Sequence, residues 1–175
     1  MTIPEFSRRV PLDTLGEAPR RIAIEAEEAE RAALAARFAL VAIDRLAAEA
    51  ELVRDGSEVT AVGRIEAAVT QACVATGAPV EARVDEGFKL AFRPLPTADR
   101  PDEEIELGES ELDVTFYEGG AVDLGEMAAE TLALALDPYP RSAKAERALK
   151  EAGVKSEEEA GPFGALAGLR DKLGK

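Results

Sequence analysis

Residues 58–92 read EVTAVGRIEAAVTQACVATGAPVEARVDEGFKLAF, two alternating runs joined at Thr76-Gly77-Ala78-Pro79. In the first run Val59, Ala61, Gly63, Ile65, Ala67, Val69 and Cys73 take odd positions, and Thr60, Arg64, Glu66 and Thr70 take even ones. In the second the parity flips, so that Val80, Ala82, Val84, Phe88, Leu90 and Phe92 share a side, with Glu81, Arg83, Asp85, Lys89 and Arg93 opposite. Period-two alternation on both sides of a Gly/Pro turn predicts a long antiparallel hairpin with one buried and one solvated face.

Upstream, Leu46, Ala48, Ala50 and Leu52 alternate with Ala47, Glu49, Glu51 and Val53, and Asp55-Gly56 is a hairpin turn signal. The hairpin thus becomes a three-strand meander over about residues 46–93. Before it, Phe6, Arg8, Val10 and Leu12 predict a short edge strand limited by Pro11, and Ile22 and Ile24 a second. Ala26 to Phe38 is rich in alanine, glutamate and arginine, which favours helix, with a slim apolar stripe. After the meander, Pro94, Pro96 and Pro101 among acids predict a loop, and Leu112, Val114 and Phe116 alternate as a further strand that ends at Gly119-Gly120.

Asp123 and Glu126 have capping-box spacing ahead of Met127, Ala128, Thr131, Leu132, Ala135 and Leu136, a helix that Asp137-Pro138-Tyr139-Pro140 stops. The expected fold is therefore α+β. An antiparallel meander sheet is covered by two helices, with closure into a barrel left open. Residues 1–140 form a single domain. Residues 141–175 are expected to form a flexible tail with transient helix near 143–152 and a short amphipathic segment at 162–173, where Phe163, Leu166 and Leu169 fall at helical spacing.

The chain of 175 residues carries a formal charge of -14 and no histidine. Residues 97–130 hold twelve acids against one base, Arg100, hence -11. Sequence-independent contact with nucleic acid needs a positive stripe that displaces counterions from phosphates, the opposite of this window. An acidic strip attracts and steers basic partners instead. Its densest part, Asp102, Glu103, Glu104, Glu106, Glu109 and Glu111, is the candidate partner-binding site, and the tail residues Phe163, Leu166 and Leu169 are a second. The arginines at 8, 9, 20, 21, 64, 83 and 93 are candidates for a local RNA-facing patch, with Arg64, Arg83 and Lys89 on the wet face of the meander the chief ones.

The single cysteine, Cys73, excludes an intramolecular disulfide and a cysteine-cluster zinc site. Without histidine the common nucleophile–base pairs have no base. By parity Cys73 faces inward as an inert core thiol, and Gly63 reads as a bulge or close-packing position. No stretch has the length of a signal peptide's apolar core or of a membrane span, and a cytoplasmic protein without membrane partner, metal or cofactor is expected.

The segment from Val62 to Val80, with Cys73 and Gly77-Ala78-Pro79, resembles the central motif of the YceD family, the large ribosomal RNA subunit accumulation proteins. Phe6-Ser7-Arg8-Arg9-Val10, Val122-Asp123-Leu124-Gly125-Glu126, Leu134-Ala135-Leu136-Asp137-Pro138-Tyr139-Pro140 and Pro162-Phe163-Gly164-Ala165-Leu166 are similar to it in the same order. Many members carry a second cysteine where this chain has Thr76, so a metal-ribbon role is not carried over. The resemblance implies a part in large-subunit ribosomal RNA accumulation or processing, and it supplies no catalytic residues. The expected function is a non-enzymatic accessory factor in ribosome biogenesis that binds a basic ribosomal protein, an assembly factor or precursor RNA. The alternatives are a magnesium-dependent phosphoryl hydrolase using the loop from Asp99 to Glu106, and a general adaptor acting through the tail.

Overall fold

The computed structural model describes residues 4–95 and 113–154. They divide into two compact units, the larger comprising residues 4–71, 81–95 and 113–137, the smaller residues 72–80 and 138–154.

The larger unit is built on a five-stranded sheet in the order β2-β3-β4-β5-β6. Its strands are β2 Arg20–Glu25, β3 Ala42–Asp55, β4 Glu58–Ala72, β5 Pro79–Pro94 and β6 Asp113–Tyr117. β2 pairs antiparallel with β3, and β3 with β4 across the turn at Gly56, whose φ of 59° is one that glycine adopts readily. The order is linear from β2 to β6, so the sheet is open and does not close into a barrel. One pairing departs from the antiparallel expectation. β6 runs parallel to β5, with Leu90 opposite Asp113 and Pro94 opposite Tyr117. A parallel neighbour needs a crossover of about a dozen residues or more, and the chain between Pro94 and Asp113 is long enough to supply it.

The alternation that predicts the meander is its burial pattern. Val59, Ala61, Ile65, Ala67, Val69 and Cys73 are all buried. Gly63 shares their parity because no Cβ fits there: one would lie 2.0 Å from the Glu49 carbonyl oxygen and 2.8 Å from a Phe88 ring carbon. A register shift between Ile43 and Arg45 inserts one residue into β3. That bulge lets Ile43 and Leu46, three residues apart, both face the core.

Both predicted helices cover the sheet, α1 Glu28–Arg37 and α2 Leu124–Ala135. Leu34 and Ala35 of α1 meet Ala128, Ala129 and Leu132 of α2 over Leu46, Ala48, Ile65, Ala67 and Val69. A second apolar cluster fills the other end, where Val10, Leu15, Val122, Leu124 and Met127 pack on Leu52, Val59, Ala61, Leu90 and Phe92. Val10 and Val122 come from a small two-stranded sheet, β1 Arg9–Pro11 against β7 Ala121–Asp123. β7 has only three residues, too few for a period to show in the sequence.

In the smaller unit the segment joining β4 to β5 is tied to the chain after Pro138. Val74 N–H donates to the Pro140 carbonyl at 2.9 Å, and Ser142 N–H to the Cys73 sulfur at 3.3 Å. A short helix, α3 Ala145–Glu151, follows inside the stretch expected to be helical, with Ala145 buried.

Candidate functional site

The N-terminal segment Phe6-Ser7-Arg8 and the start of α2 form one packed node. Asp123 is the N-cap of α2, and its carboxylate accepts from the Gly125 and Glu126 backbone N–H groups. It also accepts from the Arg8 backbone N–H at 2.8 Å and from the Ser7 hydroxyl. Leu124 N–H returns a bond to the Arg8 carbonyl at 3.1 Å. So close an approach requires Gly125, where a Cβ would lie 2.5 Å from the Phe6 carbonyl oxygen. Phe6 is fully buried, and the Arg8 guanidinium sits 4.8 Å from its ring centroid.

The capping box predicted at α2 is half formed. Glu126, at the third helical position, turns away from the cap and pairs with Arg37 at the end of α1, at 2.8 and 3.1 Å. Arg37 also holds Glu5 at 3.0 Å. The hydrogen bonds that Arg37 donates to Glu126, ahead of the charges of both acids, push the Arg37 pKa up. Asp123 and Glu126, two acids of the -11 window, thus hold the fold together.

Other acids of that window face outward. Beside α2 runs a groove of about 510 Å³ with Phe88, Leu90, Val114, Met127 and Leu134 along it. Glu86, Asp113 and Glu130 stand at its rim, all exposed, with Lys89 the one cation among the described residues that line it. Partial burial, with the charge of Glu126 added, raises the Glu130 pKa. Leu134 is 87% exposed, although α2 could have carried a polar residue there at no cost to the core. A surface that joins apolar contacts with an excess of carboxylates can take a segment carrying both apolar and cationic side chains. The sequence does not reveal this groove, because its walls come from β5, β6 and α2, which are brought together only by the fold.

The candidate residues fall in different places. Asp102, Glu103, Glu104, Glu106, Glu109 and Glu111 lie outside the described residues, as do Phe163, Leu166 and Leu169; the first group immediately precedes Asp113 of the groove rim. Arg64, Arg83 and Lys89 are exposed on β4 and β5. Arg64 is paired with Asp85, whose hydrogen bond raises the Arg64 pKa. On the solvated sheet face Arg21 pairs with Glu51, and Arg45 lies between Glu25 and Glu66. Arg93 pairs with Glu58. Each of these arginines answers a carboxylate, so the face is of mixed charge. Arg8, also among the basic candidates, is engaged in the node: its guanidinium makes two bonds to Glu30, at 2.7 and 2.8 Å.

Cys73 is buried, as its parity predicts. Its surroundings are not those of an inert apolar thiol. The Ser142 backbone N–H, then the Thr76 and Ser142 side chains, stabilise the thiolate and lower the pKa to about 6. The donor at Ser142 comes from 69 residues away, which a local parity argument cannot see. Among the described residues no cluster of three or more acidic or cysteine side chains is placed to hold a metal ion, and no helix is long and apolar enough to cross a membrane.

Together these features define an α+β protein: an open, mostly antiparallel sheet under two helices, with an acid-rimmed apolar groove beside the second helix. The family model described as large ribosomal RNA subunit accumulation protein YceD matches residues 61–170, more than half of the 175. The chain belongs to the YceD family. The matched range holds β4 from Ala61 onward, β5, β6, α2 and every described residue that lines the groove, while Phe6-Ser7-Arg8 lies before it. No curated protein and no solved structure matches the chain.

Proposed function

We propose that this protein is a non-enzymatic accessory factor in the accumulation of large-subunit ribosomal RNA, and that it acts by binding a basic ribosomal protein or assembly factor. The family description supplies the process. The observation that carries the mode of action is the groove, an apolar floor under Glu86, Asp113 and Glu130 with Leu134 held out to solvent. Asp113 is where the chain enters β6 directly from the acidic run 102–111, so groove and run are contiguous in sequence. Ribosomal proteins are rich in lysine and arginine, and a strongly acidic surface raises the rate at which such partners are met.

Contact with RNA is secondary in this reading. Arg21, Arg45 and Arg64 on the sheet face are paired with Glu51, Glu66 and Asp85, and a phosphate backbone would meet those carboxylates together with the cations. The test is genetic. In cells lacking the protein, the ratio of large- to small-subunit ribosomal RNA falls. Restoring the wild-type chain recovers it, whereas a chain with Glu86→Gln, Asp113→Asn, Glu130→Gln and Leu134→Ser does not. Full rescue by that variant would remove the groove from the account.

A further inference from the structure

We propose that β2 is a self-association edge, pairing with β2 of a second copy of this chain to join two five-stranded sheets into one. Among the described residues β2 is the terminal strand of the sheet, six residues long, Arg20-Arg21-Ile22-Ala23-Ile24-Glu25, with no proline, glycine or bulge to blunt it. The backbone shows which of its groups point outward. Ala26 N–H bonds the Leu46 carbonyl on β3 at 2.9 Å, and in an antiparallel ladder residues that face one neighbour recur at every second position. Ile24, Ile22 and Arg20 therefore turn their N–H and C=O groups to β3, and Glu25, Ala23 and Arg21 turn theirs outward. The Glu25 carbonyl agrees with the assignment, since it accepts from the Arg8 guanidinium at 3.2 Å, away from β3, and in the paired edge it must share that bond with the Arg21 N–H of the second copy or give it up. Ala23, at the centre of that edge, is exposed.

The side chains select the occupant. A two-fold axis through Ala23 makes Ala23 opposite Ala23 a hydrogen-bonded pair, as its outward backbone groups require. It sets Arg21 opposite Glu25 of the second copy, twice, on the solvated face. On the other face it sets Ile22 opposite Ile24, again twice, where both side chains are half-buried and already pack toward the core. Opposite charges and β-branched pairs directly across strands both favour pairing. Moving the axis by one residue, to Ile22, would set Arg21 opposite Ala23 and Arg20 opposite Ile24 and lose every one of these matches. The present partners of the two charges are easily released: Arg21 meets Glu51 at 3.3 Å with its side chain 88% exposed, and Glu25 is 4.0 Å from Arg45.

The test is sedimentation equilibrium on the full chain, on Arg21→Glu, on Glu25→Arg, and on an equimolar mixture of the two variants, with far-UV circular dichroism to show that each folds. The wild type should show a concentration-dependent dimer. Each variant alone places like charges opposite one another at both ends of the edge and should dimerise about tenfold more weakly. In the mixture every facing pair is again of opposite sign, and dimerisation should return to the wild-type level. A wild type that remains monomeric throughout, a dimer indifferent to both substitutions, or a mixture no better than its components would each overturn the proposal.

Discussion

The Arg8 guanidinium holds the Glu30 carboxylate by two nearly parallel hydrogen bonds, 2.7 and 2.8 Å long, and so joins the N-terminal segment to the first turn of α1. The same carboxylate accepts the Glu27 N–H at 2.7 Å at the head of that helix. Arg8→Ala should lower stability by about 1–2 kcal/mol, a figure kept small by partial solvent exposure of the pair. Arg8→Lys should recover only part of the loss, because an ammonium cannot make the paired contact. Urea denaturation midpoints at neutral pH measure both.

The same pair has an acid signature. The hydrogen bond from Arg8, with the Glu27 N–H adding to it, lowers the Glu30 pKa below its ordinary value. Its contribution is complete above the unfolded value, about 4.3, and is lost as pH falls through the folded one. Stability curves of the wild type and of Glu30→Gln should therefore converge as pH drops below about 4.

Gly125 and Gly63 are required by contact and Gly120 is not. A Cβ at Gly125 would strike the Phe6 and Arg8 backbone, and one at Gly63 the Glu49 backbone, whereas Gly120 has nothing within 4 Å. Gly125→Ala and Gly63→Ala should each destabilise by about 1–3 kcal/mol, while Gly120→Ala should be nearly neutral. Thermal unfolding of the three variants separates the cases.

Cys73 should titrate with a midpoint near pH 6 in the folded protein, read from thiolate absorbance in the ultraviolet, because the Ser142 N–H and the Thr76 and Ser142 side chains favour the thiolate. In urea the midpoint should return to about 8.5. Since the folded value is the lower, this group adds stability as pH rises from about 6 toward 8.5, and that increment vanishes below pH 6. Cys73→Ala should lack that rise.

The parts of the fold legible in the sequence were those with a solvated face. β3, β4 and β5 show their period because water requires polar residues on one side, and Asp123 announces α2 because a helix start needs an acceptor. What the sequence hid depends on partners distant in the chain. Arg8 looks like any surface arginine until Glu30 and Phe6 are placed beside it. Glu126 has the spacing of a capping box, yet Arg37 on α1 takes its carboxylate instead. The direction of β6 is not encoded in Asp113–Tyr117 at all, since an alternating strand pairs either way; the direction depends on the long connection before it. The groove, whose walls are brought together only by the fold, could not be read in advance either, even though Glu86, Asp113 and Glu130 stand in plain sight as acids.

What the groove holds decides the mode of action. The tagged chain and its Glu86→Gln, Asp113→Asn, Glu130→Gln variant should be recovered from cell extract across a salt series, with bound protein and RNA both identified. The prediction is a basic large-subunit protein or assembly factor on the wild type, released progressively as salt rises, strongly reduced on the variant, and retained after nuclease treatment. Recovery of precursor RNA without such a protein, or equal capture by wild type and variant, would contradict it.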